Sequence, residues 1–122
     1  MKTKFKIDLT PFRGINSTSL TGRPQGKTAR LVIKLDKIEY KYQKILVFIP
    51  LGTTSFNPSF FLGLFYNSIK KLGSIDKFLD KFNFEFDENE SEVLIEIITN
   101  NIDEALTYAK NSLVDSQKGF RL

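Results

Sequence analysis

With no histidine and no cysteine among its 122 residues, the chain lacks the side chains that most often act as general base, nucleophile or soft metal ligand near neutral pH. Any chemistry rests on hydroxyls, carboxylates, amines and the backbone. Gly22-Arg23-Pro24-Gln25-Gly26-Lys27-Thr28 is the first grouping to weigh, because glycine-rich turns ending in Gly-Lys-Thr cradle phosphates. That motif places four residues between its first glycine and the Gly-Lys pair; here there are three, and Thr21 stands in the glycine slot. Pro24 also removes an amide that a cradle would use. The expectation is a turn leading into a basic helix, capped near Gln25, Gly26 or Thr28.

Three further groupings remain. Glu88, Glu92 and Glu96 are four apart, so a helix would stack them on one face, an arrangement typical of a solvated surface. Arg30, Lys34, Lys37, Tyr40, Lys41, Tyr42 and Lys44 interleave cations with aromatic rings. Together with Arg23 and Lys27 they form the candidate contacts for an anion or a nucleic acid, since phosphates need correctly spaced cations and a ring can stack on a base. Ser55 and Ser59 lie at the start of an expected helix, where amides and the helix dipole stabilise a phosphoryl group. No base stands near in sequence to activate either as a nucleophile. No catalytic, metal-ligating or cofactor-binding set is assigned, and no cofactor is expected.

The charge distribution is lopsided. Residues 1–44 carry eleven Lys/Arg against Asp8, Asp36 and Glu39, a net of +8, whereas residues 45–122 have a net charge of −4. Eight acids fall within 85–104 with no basic residue among them. Such a chain can bind an anionic partner at one end or pair head to tail with itself. Apolar content of 41% with 12 Phe and no Trp indicates a folded domain with a Phe-rich core. No apolar run approaches the roughly 20 residues of a membrane span. The start, MKTKFKIDLTPF, lacks the apolar centre of a signal peptide, so a cytoplasmic protein without a membrane partner is expected.

The elements that must position these groups follow from periodicity. Phe5, Ile7 and Leu9 alternate with Lys4, Lys6 and Asp8, a half-buried strand with the lysines suited to a sheet edge. Residues 12–26 form a polar loop with room for a short strand. Leu31, Leu35, Ile38 and Tyr42 recur at spacings of three and four, favouring a helix over 24–40, with a strand at 29–35 as the alternative. The continuous apolar run 44–51 suits a central strand covered on both faces, ended by Pro50. Asn57 caps and Pro58 opens a helix that runs to Gly73. Ser74 caps a short helix, 82–86 is a strand, and Asn89 or Ser91 caps a helix through Ile98, interrupted at Asn100-Asn101. A strand at 92–98 is the alternative there.

At Phe56-Asn57-Pro58-Ser59-Phe60, followed by Leu64-Phe65 and Gly73, the chain resembles the STAS-like family, small bacterial and phage-associated domains related to sulphate-transporter and anti-sigma-factor-antagonist modules. Gly22-Arg23, Ala29-Arg30, the run 45–51 and Ser59-Phe60 match the family's features in order over roughly residues 20–113. Family members often place acids where this chain has Leu62 and Gly63, and an Asp where it has Ile49-Pro50. The resemblance implies a single non-enzymatic α/β domain over residues 1–122 that binds another protein, a regulatory kinase or regulator. It further implies a phospho-switch at Ser55 or Ser59 and docking near Phe56 and Phe60. The expected architecture is a small mixed sheet with a right-handed parallel βαβ crossover and helices mainly on one face. The other expectation is a nucleic-acid-binding accessory protein using the basic N-terminal third.

Overall fold

A computed structural model describes residues 2–119. The strand β1 (Lys2–Asp8) leads through a 3-10 turn and the two-residue β2 (Ser19–Leu20) into α1 (Arg23–Ile33) and α2 (Leu35–Lys41). Then come β3 (Tyr42–Ile49), β4 (Ser55–Phe56), α3 (Pro58–Leu72), α4 (Ile75–Lys81), β5 (Phe82–Phe86) and α5 (Glu92–Gly119). The main sheet has the order β1-β3-β5 and a small second one pairs β2 with β4. The α/β class, the parallel crossover and the one-sided helices are as expected.

The sheet itself is not mixed. β3 pairs parallel with both β1 and β5, with Phe5 opposite Ile45 and Ile45 opposite Phe82, and β2 with β4 is parallel as well. Every connection between neighbouring strands of the main sheet carries helices, and parallel pairing requires such a crossover. Because the order advances steadily from β1 to β5, successive crossovers deliver their helices to one face. The run 44–51 is therefore covered on one side only. Ile45, Val47 and Ile49 are buried against the helices, while Leu46 and Phe48 are half-buried on the other face. There their neighbours are the exposed Lys4, Lys6, Asp8, Lys44, Asn83 and Glu85. The Lys6 ammonium stands 4.5 Å from the centroid of the Phe48 ring, a cation–π contact that shields part of this open face.

Local signals placed the ends of most helices. The Asn57 side chain accepts the Ser59 amide at 2.8 Å, Pro58 occupies the first turn, and Gly73 ends α3 in the left-handed region at φ 91°. The Ser74 hydroxyl accepts the Lys77 amide and the Ser91 hydroxyl accepts the Leu94 amide, each at 3.2 Å. Both β-prone stretches, 29–35 and 92–98, lie in helical segments. Two expectations need correction. The helix over 24–40 is broken in two at Lys34, whose φ of 61° and ψ of 50° are left-handed. Helix α5 runs unbroken through Asn100-Asn101, and the Asn101 carboxamide instead accepts the Phe56 amide at 3.0 Å, satisfying a strand edge.

Phe56, Phe60, Phe61, Phe65, Phe78 and Phe82 are fully buried, with Phe61 and Phe65 edge to face at 5.0 Å and Phe78 stacked on Phe82 at 4.6 Å. Pairs of this kind are worth about 0.5–1.5 kcal/mol beyond the area they bury. Helices α1 and α3 run in the same direction: Gly26 abuts Phe60 and Leu64, while Arg30 reaches Leu64 and Ser68. A Cβ added to Gly26 would lie 2.2 Å from the Phe60 carbonyl oxygen, and one added to Gly63 would lie 2.3 Å from that of Arg23. The reciprocal glycines let the two backbones touch. Among the described residues no helix is long and apolar enough to cross a membrane.

Candidate interaction surfaces

Two ends of the sheet present different chemistry. At the carboxyl end, loops 9–18 and 50–57 are tied together: the Thr54 amide donates to the Thr18 carbonyl at 2.9 Å, and their hydroxyls lie 2.7 Å apart. Arg13 donates to the Leu51 carbonyl at 3.1 Å and the Asn57 amide donates to the Leu20 carbonyl at 2.9 Å. Ile15 is 97% exposed on this end, and Leu51 is exposed beside the turn at Gly52. Glu90 reaches across from the segment before α5, its carboxylate accepting the Gly52 amide at 2.7 Å.

The α3 start opens from this end. Ser59 is exposed on the first turn and Ser55 is half-buried in β4. Phe56 and Phe60, expected at a docking surface, are both completely buried. Alternation in β4 and the helical period of α3 turn them inward, into contact with each other at 5.9 Å between ring centroids. They hold the surface serines from below.

Arg30 is not a surface cation either. At 7% exposure it donates to the Leu64 carbonyl and the Ser68 hydroxyl, each at 2.8 Å, and pairs with Asp36 at 2.7 Å and Glu39 at 3.6 Å. Lys71 closes the cluster from α3, 3.0 Å from Glu39 and 3.4 Å from Asp36, and the Ser68 hydroxyl donates to Glu39. The donation from Arg30, then its charge, holds the Asp36 carboxyl below its ordinary range, and the hydrogen bond to Glu39 raises the Lys71 ammonium. This cluster joins α1, α2 and α3. Helical spacing does not pair Arg30 with Asp36; the break at Lys34 does, by turning α2 back.

Segment 22–28 is a helix entry rather than a cradle. Gly22, at φ 90°, is the N-cap, without a side-chain cap bond; it takes the role expected of Gln25, Gly26 or Thr28. Gly26 serves the helix crossing. Arg23 and Lys27 are exposed on α1. Of the stacked acids, Glu92 and Glu96 are exposed on α5 while Glu88 lies before it. Among the described residues no group of three or more Asp and Glu could hold a metal ion.

The amino end of the sheet carries the rest of the basic set. Lys34, Lys37 and Lys41 line an open groove of about 310 Å³ together with Phe5, Ile33, Ile38 and Tyr42. Phe5 and Tyr42 touch across β1 and β3 with ring centroids 4.9 Å apart. Tyr40, on α2, is 84% exposed. Lys44 is drawn off to the Asp80 carbonyl. Phe5 was not foreseen here. Its strand alternation marks it as inward-facing, but only the register of β1 on β3 brings it to Tyr42. No protein-family profile, no curated protein and no solved structure matches the chain.

Proposed function

We propose that the chain is a non-enzymatic, STAS-like protein-interaction module acting in the cytoplasm, which docks a partner protein through the carboxyl end of its sheet and is switched by phosphorylation at Ser59. The observation that carries the reading is the company of an exposed Ser59, in the first turn of a fifteen-residue helix, and the exposed apolar tips Ile15 and Leu51 on loops bound to the same end. Amides in a helix's first turn have no intrahelical partner, and the positive end of the dipole favours a dianionic phosphoryl group. Asn57 already occupies the Ser59 amide, so a phosphate there alters the surface more than the fold. Apolar side chains exposed at the same end as such a residue gain from burial by a partner, and a charge added at that end opposes it. Ser55 is the secondary position, half-buried and hence the poorer substrate for a kinase.

The test uses immobilised wild-type chain, Ser59→Asp, an Ile15→Asp/Leu51→Asp double variant and a Lys110→Glu control, each exposed to lysate of the native host. A single protein retained by wild type and control, but lost from the other two, supports docking at this end. A protein held equally by all four surfaces sinks the reading.

A further inference from the structure

We infer that the groove at the opposite, amino end of the sheet is a second binding site, for single-stranded nucleic acid, whose phosphates meet Lys34, Lys37 and Lys41 while a base lies against the Phe5/Tyr42 pair. Three observations converge on it. The three amines share one groove with two half-buried aromatic rings tilted 47° to each other, so the same recess offers cations and aromatic surface. An acidic peptide asks only for the first; a base-bearing anion uses both. Along α2, Lys37 and Lys41 stand about 6 Å apart by helical rise, and Lys34 extends the row beyond the helix start.

The second observation is a missing counter-charge. Asp36 and Glu39, the two acids nearest these lysines in sequence, are committed to Arg30 and Lys71. The internal ion cluster thereby leaves the groove cationic. The third is the backbone of Lys34. It is one of two non-glycine residues with positive φ among those described, a conformation that disfavours any residue with a Cβ. Glycine is the ordinary choice at such a helix end, and lysine there places an amine at the mouth of the groove instead. Tyr40, three residues after Lys37 and largely bare, adds a ring on which a neighbouring base can stack.

The site is independent of the docking end, and so is its test. Fluorescein-labelled oligothymidylate and oligouridylate of about a dozen nucleotides, within the range one small domain spans, are titrated with the full chain by fluorescence anisotropy. The affinity is expected to fall with salt at a log–log slope of about −2, from three phosphate contacts on a single strand. A Lys34→Gln/Lys37→Gln/Lys41→Gln variant should lose tenfold or more in affinity along with most of that slope. Lys70→Gln/Lys77→Gln/Lys110→Gln, exposed lysines elsewhere, should change it less than twofold. Tyr42→Leu should weaken binding severalfold and leave the slope intact. The inference is overturned if the control triple loses as much as the groove triple. It is likewise overturned if polyglutamate or phosphatidylserine vesicles, at equal charge, displace the oligonucleotide as well as unlabelled oligonucleotide does.

Discussion

Replacing Gly26 by Ala sets two well-known effects against each other, and the structure says which wins. Within a helix interior, Ala is favoured over Gly by about 0.8–1.0 kcal/mol, so propensity alone makes the substitution stabilising. Here, however, the new methyl would stand 2.2 Å from the Phe60 carbonyl oxygen and 2.9 Å from the Leu64 nitrogen. Both are backbone atoms of a buried helix, so no side chain can swing away. Relief requires α1 and α3 to part by about 1 Å, and overpacking of this kind costs about 1–3 kcal/mol. The same movement stretches the bonds from Arg30 to the Leu64 carbonyl and the Ser68 hydroxyl, now 2.8 Å each. Charge-assisted bonds of this sort contribute about 1.5–3 kcal/mol. After the propensity gain, a net loss of about 2–4 kcal/mol remains, a large part of the roughly 5–15 kcal/mol typical of a domain. Gly63→Ala meets the Arg23 carbonyl oxygen at 2.3 Å and the Lys27 nitrogen at 3.0 Å, and should behave alike. Both methyl groups open the same helix pair, so the double variant should cost at least about 1 kcal/mol less than the sum of the singles. Urea unfolding followed by far-ultraviolet circular dichroism measures all three. Either single variant proving as stable as wild type would refute the close approach, and strict additivity would refute the shared mechanism.

Arg30→Met should destabilise by about 3 kcal/mol, the lower end for breaking a buried pair because Lys71 still faces Glu39; Arg30→Met/Glu39→Leu should recover at least half, by the same urea assay. The depressed Asp36 carboxyl contributes stability that is present above its ordinary pKa of 3.8 and is lost as pH falls through the lower folded value. Accordingly, Asp36→Asn should be less stable than wild type at neutral pH, and the gap should close in acid below about pH 4. The raised Lys71 ammonium gives the mirror image: its contribution holds below 10.5 and fades above it, so the deficit of Lys71→Met should shrink in strong alkali. Lys34→Gly should raise stability by about 0.5–1 kcal/mol, the left-handed penalty less glycine's entropy, while weakening oligonucleotide binding; a loss of stability in this variant would contradict the strain at Lys34.

Features carried by neighbours in sequence were legible before any fold was known. Asn57-Pro58 and Gly73 bound α3 because a cap needs only a side chain within reach of its own first turn, or a residue free to adopt positive φ. The alternation of Phe5 and Ile7 with Lys4 and Lys6, and of Phe82, Phe84 and Phe86 with Asn83 and Glu85, marked strands because the pleat has a period of two. The β-prone runs 29–35 and 92–98 left a strand open as the alternative, since side-chain shape alone does not separate a buried helix from a buried strand; the helical spacing of their apolar residues was the better guide. The basic row was legible as a row, but not which of its members face solvent. Arg30 turned inward while Lys34, Lys37 and Lys41 stayed out, because the break at Lys34 redirected α2 and placed Asp36 and Glu39 against the guanidinium.

The order of the main strands and helices, both ends of α3, the starts of α4 and α5, the Phe core and the basic N-terminal third lay in the sequence itself, since period, capping and composition act over a few residues. Only the tertiary structure decided that the sheet is wholly parallel with one open face, that Gly26 and Gly63 meet, and that Phe56 and Phe60 support the α3 start rather than cover it. The joining of Phe5 to Tyr42 beside three lysines was decided there too. Each depends on the register and crossing of segments tens of residues apart, and the contacts that set them exist only once the chain has closed on itself.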